Sequence, residues 1–459
     1  MATSGKPDRK PILLIDPGIG HARFVHERAV NRGLLSIASF LSYQGYPVDF
    51  ISLDQLHLQG VDDEQQIFDW LAGLLAKKDY FLVAVSSLFV AEFSRVERLL
   101  FRIKKERQDI ITVVGGHYPT FHHEEILKQC KAVDFVGRCE GEWLVRNLVD
   151  YLLSGKQDVD LLRGFTYRRN GKVVVAPDLP LGTLDDLPPL DYTLLDPAYL
   201  KQEEPPNINI EFNRGCPFNC SFCSATRFWR QSVRKHNKMK ILVELRQLID
   251  LGYAGKVSFE DETIDLRSQE LKDFIKGLKA ESRRKYSFDY LVTRYDTLDQ
   301  EGLRQLHELG LRDILIGLES GSRRILESIN KKIDLEDFPK SCRLIKESGL
   351  RVNVFIIVGL PGESEESFRE TYAYLENLFD ERLISNILVS YFQPYQGTDS
   401  FQKMQEYGGR IVEEDKQKWI LRGGPLVEYP NLSAERQLKM FEDVSRLNEK
   451  NLSSFYKRF

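Results

Sequence analysis

The sequence predicts an α/β protein in which an N-terminal doubly wound, Rossmann-like domain precedes a partial (β/α)6 barrel and a small helical C-terminal region. Two observations support this: short apolar runs alternate with helical periodicity early in the chain, and six strand–helix repeats follow a Pro- and Asp-rich stretch. The predicted boundaries are 1–150 for the first domain, 151–205 for a linker, 206–400 for the barrel and 401–459 for the helical region.

Five strands separated by helical segments make up the first series. The predicted strands are PILLID, VDFISL, FLVAVSS, ITVVGG and VDFVG, and helices such as AEFSRVERLLFRIKKERQ lie between them. Almost continuously apolar strands are typical of parallel sheets that are covered on both faces. The series therefore predicts an open, doubly wound sheet that binds ligands outside the carboxyl ends of its strands.

A linker with its own hairpin is expected between the two series. FTYRRNGKVVVAP contains Asn170-Gly171, a dipeptide that favours a two-residue hairpin turn. The stretch LGTLDDLPPLDYTLLDP should then cross to the barrel as ordered coil.

The second series begins with INIEFNRG and repeats a strand and a helix six times. Its strands are INIEF, KVSFE, YLVTR, DILIGLES, VNVFIIVG and ILVSYF. Six such repeats predict a β/α barrel, complete or partial, with its chemistry at the carboxyl ends of the strands. The tail beyond about 401 is expected to be helical.

Composition excludes several classes of function. The chain has 459 residues, 42% hydrophobic and 29% charged, and a net charge of −4. It therefore has no overall basic field for nucleic acid, and no apolar run long enough for a membrane span. MATSGKPDRK lacks the apolar region of a secretory signal, and six cysteines are too few for a disulfide scaffold. We expect a cytoplasmic protein that binds no nucleic acid.

Three cysteines with the spacing C-x3-C-x2-C are the strongest motif: Cys216, Cys220 and Cys223 in NRGCPFNCSFC. Four-iron clusters usually take four cysteines, so three nearby thiolates leave one iron open. Two alternatives are a structural zinc held with His236, and thiols without a ligand. The motif, with Phe222 before the last cysteine, resembles the radical S-adenosylmethionine (SAM) superfamily, in which SAM chelates the open iron of a [4Fe–4S] cluster.

Motifs at the later strand ends extend the resemblance over about 206–400. It implies that the acids Glu260 and Asp261 meet the SAM ammonium group and that Arg294 is suited to a carboxylate. It also implies that Glu319 and Ser320 lie near the ribose and carboxylate, and that Gly359 and Pro361 form a turn at the adenine. Gln393 begins a segment similar to Pro-Tyr-Pro-Gly-Thr.

The N-terminal domain, linker and barrel together resemble the cobalamin-dependent radical SAM family. The segments that carry the resemblance are RGLLSIASFLSYQGY, SSLFVAEF, VVGGHYPT and VDFVGRCEGE. The resemblance implies that cobalamin contacts the strand ends of this domain. The candidate contacts are Ser86, Ser87, Gly115, Gly116, His117, Glu140, Gly141 and Glu142.

The chain departs from one cobalamin pattern, Asp-x-His-x-x-Gly after the first strand. His21 lies at the wrong distance from Asp16, and His57 follows the second strand, so His57 is interpreted as a surface or packing histidine. His122 and His123 are expected to be solvated loop residues. We therefore expect cobalamin to bind base-off, without a histidine ligand to cobalt.

The resemblance implies a methyltransferase that uses methylcobalamin and a 5′-deoxyadenosyl radical to methylate an unactivated carbon of a small molecule or natural product. Its cofactors would be a [4Fe–4S] cluster, SAM and cobalamin, and its electron donor an external flavodoxin- or ferredoxin-type protein. Alternatives are a cobalamin-dependent cyclase or rearrangement enzyme, and a non-enzymatic cobalamin and iron–sulfur sensor. The sequence identifies neither the substrate nor further catalytic residues.

Overall fold

A computed structural model describes residues 10–18, 29–155, 158–281, 287–419 and 423–456. The chain forms two compact units. The first contains Met1–Ile208 and Met239–Ala254, and the second contains Asn209–Lys238 and Gly255–Phe459. His21 lies outside the described residues.

The first unit is built on a seven-stranded sheet with the order β2-β1-β3-β4-β5-β6-β7. Its strands are β1 (Ile12–Asp16), β2 (Val48–Ser52), β3 (Leu82–Ser86), β4 (Ile111–Gly115), β5 (Phe135–Gly137), β6 (Phe165–Arg169) and β7 (Lys172–Val175). The first five strands pair in parallel, as predicted. The order reverses between β1 and β3, which is where doubly wound sheets bind their ligands.

Helices connect these strands. They are α1 (Arg32–Tyr43), α2 (Glu64–Lys77), α3 (Val90–Glu106), α4 (His117–Gln129), α5 (Glu142–Ser154) and α6 (Pro197–Lys201). Local capping fixes where two of them begin. The Asn31 side chain accepts the N–H of Leu34 at the start of α1, and Asp63 forms a capping box with Gln66 at the start of α2.

The predicted hairpin is present, but it is more than a linker element. Asn170 and Gly171 have φ values of 52° and 75°, as a type I′ turn requires. Strand β6 pairs antiparallel with β5, so the hairpin extends the first sheet. Pairing with the edge strand β5 makes this part of the predicted linker belong to the first unit. Sequence periodicity does not reveal which strand a hairpin pairs with.

Two helices follow in the chain, α7 (Ala225–Phe228) and α8 (Lys238–Asp250), and nearly all of α8 belongs to the first unit. Glu244 of α8 accepts a 3.0 Å bond from the Arg32 guanidinium, and both side chains are buried. The second oxygen of Glu244 accepts the N–H of Leu190, and Lys240 donates to the carbonyls of Leu184 and Leu187. Helix α8 thus holds the Pro- and Asp-rich stretch in place.

The second unit contains a six-stranded sheet with the order β15-β14-β13-β12-β11-β8. The strands of this unit are β8 (Ile208–Ile210), β9 (Asn213–Arg214), β10 (Arg234–Lys235), β11 (Lys256–Phe259), β12 (Ser287–Thr293), β13 (Asp313–Glu319), β14 (Arg351–Val358) and β15 (Asn386–Tyr391). Strands β11 to β15 pair in parallel. The sheet follows chain order and is open, which confirms the partial barrel.

The remaining helices are α9 (Gln269–Glu281), α10 (Gln300–Leu309), α11 (Arg323–Ser328), α12 (Phe338–Glu347), α13 (Glu365–Asp380), α14 (Asp399–Glu406) and α15 (Ala434–Tyr456). The tail also contains a small antiparallel pair, β16 (Arg410–Ile411) and β17 (Val427–Glu428), which was not predicted. Helix α15 covers the last strand of the sheet: Asn448 accepts the N–H of Ile387, and Phe441 stacks on Tyr391. Within the described ranges, no helix is both long and apolar enough to span a membrane.

Candidate functional site

The loop between β9 and α7 carries Cys216, Cys220 and Cys223 as free, partly exposed thiols. Burial raises the pKa of all three, and that of Cys223 to about 11. Thiols with raised pKa values stay protonated near neutral pH until a metal displaces the proton. The loop therefore has the donor atoms for an iron–sulfur cluster.

The zinc alternative finds no support in the structure. His236 lies 2.9 Å from the Glu211 carboxylate through its Nε2 atom, in a buried position. Among the described residues, no three His, Cys, Asp or Glu side chains are gathered around the position of one metal ion. A four-iron cluster places its cysteines on different irons, so its ligands need not converge on one point.

Gly215 makes the sharp turn into this loop. Its φ is 95°, and an ideal Cβ at this position would lie 1.9 Å from the carbonyl oxygen of Ser232. Strands β9 and β10 pair beside it through Arg214 and Arg234. A side chain at Gly215 would force this pair apart and move Cys216.

Asp261 supports the beginning of the loop rather than standing open to a ligand. Its carboxylate accepts the N–H of Phe212 at 3.2 Å and that of Asn213 at 2.5 Å. Burial raises its pKa well above the usual value. Glu260 is exposed, and Asp261 serves backbone groups that need an acceptor; the predicted roles of both acids toward the SAM ammonium stay predictions.

Glu262, the third acid of the Glu260-Asp261-Glu262 run that the resemblance places at the SAM ammonium, has a similar bracing role. It accepts the N–H of Gly215 at 3.1 Å and the indole N–H of Trp229. Burial raises its pKa to about 7. The acids after β11 therefore anchor both ends of the turn that precedes Cys216.

Later segments of the chain hold the middle of the cysteine loop. Ser221 donates its N–H to the Ile329 carbonyl at 2.8 Å and accepts the N–H of Ser400 at 2.9 Å. Asn330 donates its amide to the Asn219 carbonyl at 2.6 Å. Backbone from the β13–β14 and β15–α14 connections thus fixes the loop from two directions.

Arg294 lies at the end of β12, as predicted, and contacts the cysteine loop. Its guanidinium is buried and stands 3.7 Å from the centre of the Phe218 ring. It pairs with both oxygens of Asp296 at 2.9 Å and donates to the Lys332 carbonyl. Its role toward a SAM carboxylate remains a prediction.

A buried lysine that the sequence did not reveal lies beside the cysteines. Lys331 donates to Glu319 Oε1 at 3.0 Å, and its ammonium is 5.8 Å from the centre of the Phe222 ring. Glu319 ends β13 with φ of 66°, in the left-handed region. The pair is separated by twelve residues that include α11, so no strand or helix periodicity points to it.

The turn after β14 has the tight geometry that the sequence predicted. Gly359 has φ of 84°, and an ideal Cβ there would lie 2.3 Å from Gln437 Oε1. Its N–H donates to the buried carboxylate of Glu363 at 2.6 Å, and burial raises the pKa of Glu363 to about 7. Pro361 is buried in the same turn. An adenine contact at this turn stays a prediction.

Ser320 has a structural partner: its hydroxyl hydrogen-bonds with that of Thr371 at 3.0 Å. In contrast, three buried polar atoms after β11, β13 and β15 have no hydrogen-bond partner among the residues that the structure describes, namely Thr263 Oγ1, Ser322 Oγ and Gln393 Nε2. Buried polar groups of this kind need a ligand, water or ion to satisfy them. Their position at the strand ends that follow the cysteine loop fits a polar cofactor such as SAM.

At the carboxyl edge of the first sheet, Gly116 lets two loops pass closely. Its φ is 110°, and an ideal Cβ would lie 2.4 Å from the Ser87 carbonyl oxygen. Ser87 is buried and donates its hydroxyl to the Phe89 carbonyl, while Ser86 ends β3 opposite Gly115. Near Gly115 an added Cβ would meet only Gly137, at 3.8 Å. The side chain of Phe89, in the loop after β3, is exposed, and cobalamin contacts at this edge stay a prediction.

The Gly-Glu segment after β5 is largely engaged in packing. Glu142 is buried and accepts a 2.6 Å bond from the Ser36 hydroxyl. An ideal Cβ on Gly141 would lie 2.3 Å from the Ile37 side chain, so glycine is needed where α1 meets α5. Glu140 is also buried. Cobalamin contacts at these residues stay a prediction.

The histidines of VVGGHYPTFHH are not solvated loop residues, because they lie in helix α4. His117 begins that helix. Its side chain is partly exposed but closely surrounded by protein, and the resulting desolvation lowers its pKa to about 4. His122 stacks on Tyr118, and His123 hydrogen-bonds with Thr166. His57, as interpreted, is a packing histidine that contacts the Asp54 carbonyl and Gln202.

Asp16 is a further buried acid at the point where the order of the first sheet reverses. Ser52 donates to it at 3.0 Å, and Asn31 at 3.4 Å. Burial and the charge of Asp54 raise its pKa to about 7. The side chain at this strand end is therefore substantially protonated at neutral pH.

Comparisons with known proteins match both units. The B12 binding domain model matches residues 24–149, and the radical SAM superfamily model matches residues 210–375. An uncharacterized methyltransferase of Pyrococcus horikoshii is 28% identical over 86% of this chain and 83% of its own length. The anaerobic magnesium-protoporphyrin IX monomethyl ester cyclase of Rubrivivax gelatinosus is 30% identical over 71% of this chain and 58% of its own length.

A solved structure shares the fold across almost the whole chain. It is the radical SAM methyltransferase TsrM from Kitasatospora setae with cobalamin and a [4Fe–4S] cluster bound. Its TM-score is 0.73 at 15% identity, covering 96% of this chain and 89% of that protein. The same methyltransferase has been solved with tryptophan substrate and a SAM analogue.

Proposed function

Because the chain belongs to the cobalamin-dependent radical SAM enzymes, we propose that it methylates an unactivated carbon of a small-molecule or natural-product substrate. The family supplies the cofactors: a [4Fe–4S] cluster, SAM and cobalamin. When bound, they provide one-electron cleavage of SAM and a methyl carrier. The proposal for this chain goes beyond the family in naming carbon as the acceptor.

The cysteine loop is the observation that carries the proposal. It presents three thiols, and the turn at Gly215 and the contacts of Ser221 fix its backbone. Orphaned polar atoms at the later strand ends, such as Gln393 Nε2, offer hydrogen bonds to SAM. The work of these residues is to hold cofactors in fixed positions and to keep water away from a reactive radical.

Relatives favour methyl transfer. The Pyrococcus horikoshii relative, which aligns over most of both chains, is described as a methyltransferase, and TsrM, with the same fold, is one. The tryptophan bound to TsrM supports a small-molecule substrate. We propose that a flavodoxin- or ferredoxin-type protein supplies electrons, and that the enzyme works in the reducing cytoplasm, where its six free cysteines persist.

The test is anaerobic turnover with deuteriomethyl-SAM and candidate substrates, followed by mass spectrometry. Methyl transfer of this type uses two SAM molecules, so S-adenosylhomocysteine and 5′-deoxyadenosine should form about equally, one of each per deuteriomethylated product. The variants Cys216→Ala, Cys220→Ala and Cys223→Ala should each lose the cluster, whereas Cys342→Ala, at a buried thiol elsewhere, should keep it. Zinc without iron or sulfide in anaerobically prepared protein would refute the assignment of the loop.

The alternative is a cyclase or other rearrangement enzyme on the same scaffold. It is supported by the 30% identity with the magnesium-protoporphyrin cyclase. Product that carries no deuterium, formed with 5′-deoxyadenosine but without S-adenosylhomocysteine, would establish this alternative.

A further inference from the structure

Lys331 and Glu319 form an ion pair that is almost fully removed from water. Their charged groups are 3.0 Å apart, and their side chains keep only 10% and 8% of their exposure. Removing two charges from water costs several kcal/mol for each ion before their attraction is counted. A pair with this cost at a functional edge indicates a role beyond stability.

The backbone around the pair is adapted to it. Glu319 holds φ of 66°, in the left-handed region that a non-glycine residue adopts only at a cost in free energy. An ideal Cβ on Gly317 would lie 2.2 Å from Glu319 Oε1 and 2.7 Å from Lys331 Nζ. Glycine at 317 therefore leaves the space in which the two charged groups meet.

The pair faces the cysteine loop. The Lys331 ammonium is near the ring of Phe222, the residue before Cys223. The two residues that precede Lys331 hold the loop directly: the Ile329 carbonyl accepts the N–H of Ser221 at 2.8 Å, and the Asn330 amide donates to the Asn219 carbonyl at 2.6 Å.

Lys331 stays charged in this setting. Burial is the largest influence and opposes its charge, but the Glu319 carboxylate, its hydrogen bond and Cys220 together outweigh burial and raise the pKa of Lys331. Arg294 is a second cation near Cys220, but both of its forked donors pair with Asp296. Both cations therefore face rings of the cysteine loop: Arg294 lies 3.7 Å from the centre of the Phe218 ring, and Lys331 lies 5.8 Å from that of Phe222, the residue before Cys223.

We propose that Lys331 raises the reduction potential of the cluster and that Glu319 limits this effect. The inference rests on the proposed function, because it requires the three cysteines to hold the cluster. Reduction adds a negative charge to a site already bound by thiolates, and a buried cation nearby stabilises that charge. Both residues act on the cluster through the electric field and need not touch it.

The test is a redox titration of the reconstituted enzyme without SAM, followed by the paramagnetic resonance signal of the reduced cluster. Lys331→Met should shift the potential to more negative values. Glu319→Gln should shift it to more positive values in a titration repeated at mildly acidic pH, where Lys331 keeps its proton without the carboxylate. Lys331→Arg should restore most of the wild-type potential. Lys332→Met, at the exposed neighbour, should leave it unchanged.

Opposite shifts in the two variants would support the inference, because a packing defect has no reason to change sign with charge. Shifts in the same direction, or none, in variants that retain their iron would overturn it and leave the proposed function intact. If Lys331→Met fails to assemble a cluster, Glu319→Gln decides, and an unchanged potential there refutes the inference. Wild-type protein that assembles no four-iron cluster would overturn the proposed function as well.

Discussion

Replacing Gly215 by alanine tests whether the backbone of the cysteine loop must be held rigidly to bind the cluster. Alanine at a φ of 95° costs about 1–2 kcal/mol for the left-handed conformation alone. Its Cβ would also lie 1.9 Å from the carbonyl oxygen of Ser232, a backbone atom two residues before β10. Relief requires β9 and β10 to separate by roughly an ångström, so the total cost should exceed about 3 kcal/mol.

Gly310→Ala is the matched control. Gly310 has φ of 110° in the same unit, and an ideal Cβ there meets nothing within 4 Å. It should therefore cost only the backbone energy. Both variants should lower the melting temperature, but only Gly215→Ala should reduce iron and sulfide per chain several-fold after reconstitution. Wild-type iron content in Gly215→Ala, with a melting temperature equal to that of Gly310→Ala, would refute the reasoning.

Three further predictions concern SAM, pH and cobalt. Arg294→Ala should weaken SAM binding in a titration by about ten- to a hundredfold, as expected for a lost charge-assisted bond, with the cluster still assembled. The control Arg304→Ala, at an exposed arginine, should leave SAM affinity unchanged. Equal SAM affinities in the two variants would show that SAM binds elsewhere. Burial raises the pKa of Glu363 from 4.5 to about 7, so the free energy of unfolding should fall by about 3 kcal/mol between those pH values. Urea unfolding of Glu363→Gln should lack this fall. Parallel curves of unfolding free energy against pH for the two proteins would contradict the burial argument. Cobalamin should be base-off without a histidine ligand, and nitrogen splitting in the cobalt resonance spectrum that disappears on changing His57 or His117 would disprove this.

Much of the fold could be predicted because it depends on local signals. Apolar runs gave the five parallel strands of the first sheet and the strands of the open second sheet. The φ preferences of Asn170 and Gly171 gave the hairpin. What periodicity cannot show is which strand edge a hairpin joins, and β6 joins the edge of β5.

The site was predicted in part for a similar reason. The cysteine spacing is local, so the sequence revealed the loop completely. The roles of Asp261 and Lys331 depend on groups that come close only in the folded chain: backbone N–H groups 48 and 49 residues away for Asp261, and a carboxylate 12 residues away for Lys331. His122 and His123 were misassigned to a loop, whereas they lie in helix α4, which begins at His117.

The path of helix α8 determines how this protein can be divided or recombined with its relatives. A fragment ending at residue 208 would remove the Glu244 carboxylate that neutralises Arg32, so Arg32 would either remain buried without its partner or become exposed to water. The same cut would deprive the Leu184 carbonyl of its lysine donor and the Leu190 N–H of its acceptor. An uncompensated buried charge costs more than the pair contributed. A cobalamin-binding fragment or a chimera therefore needs residues 239–254 as well, because the first unit consists of two separate stretches of sequence.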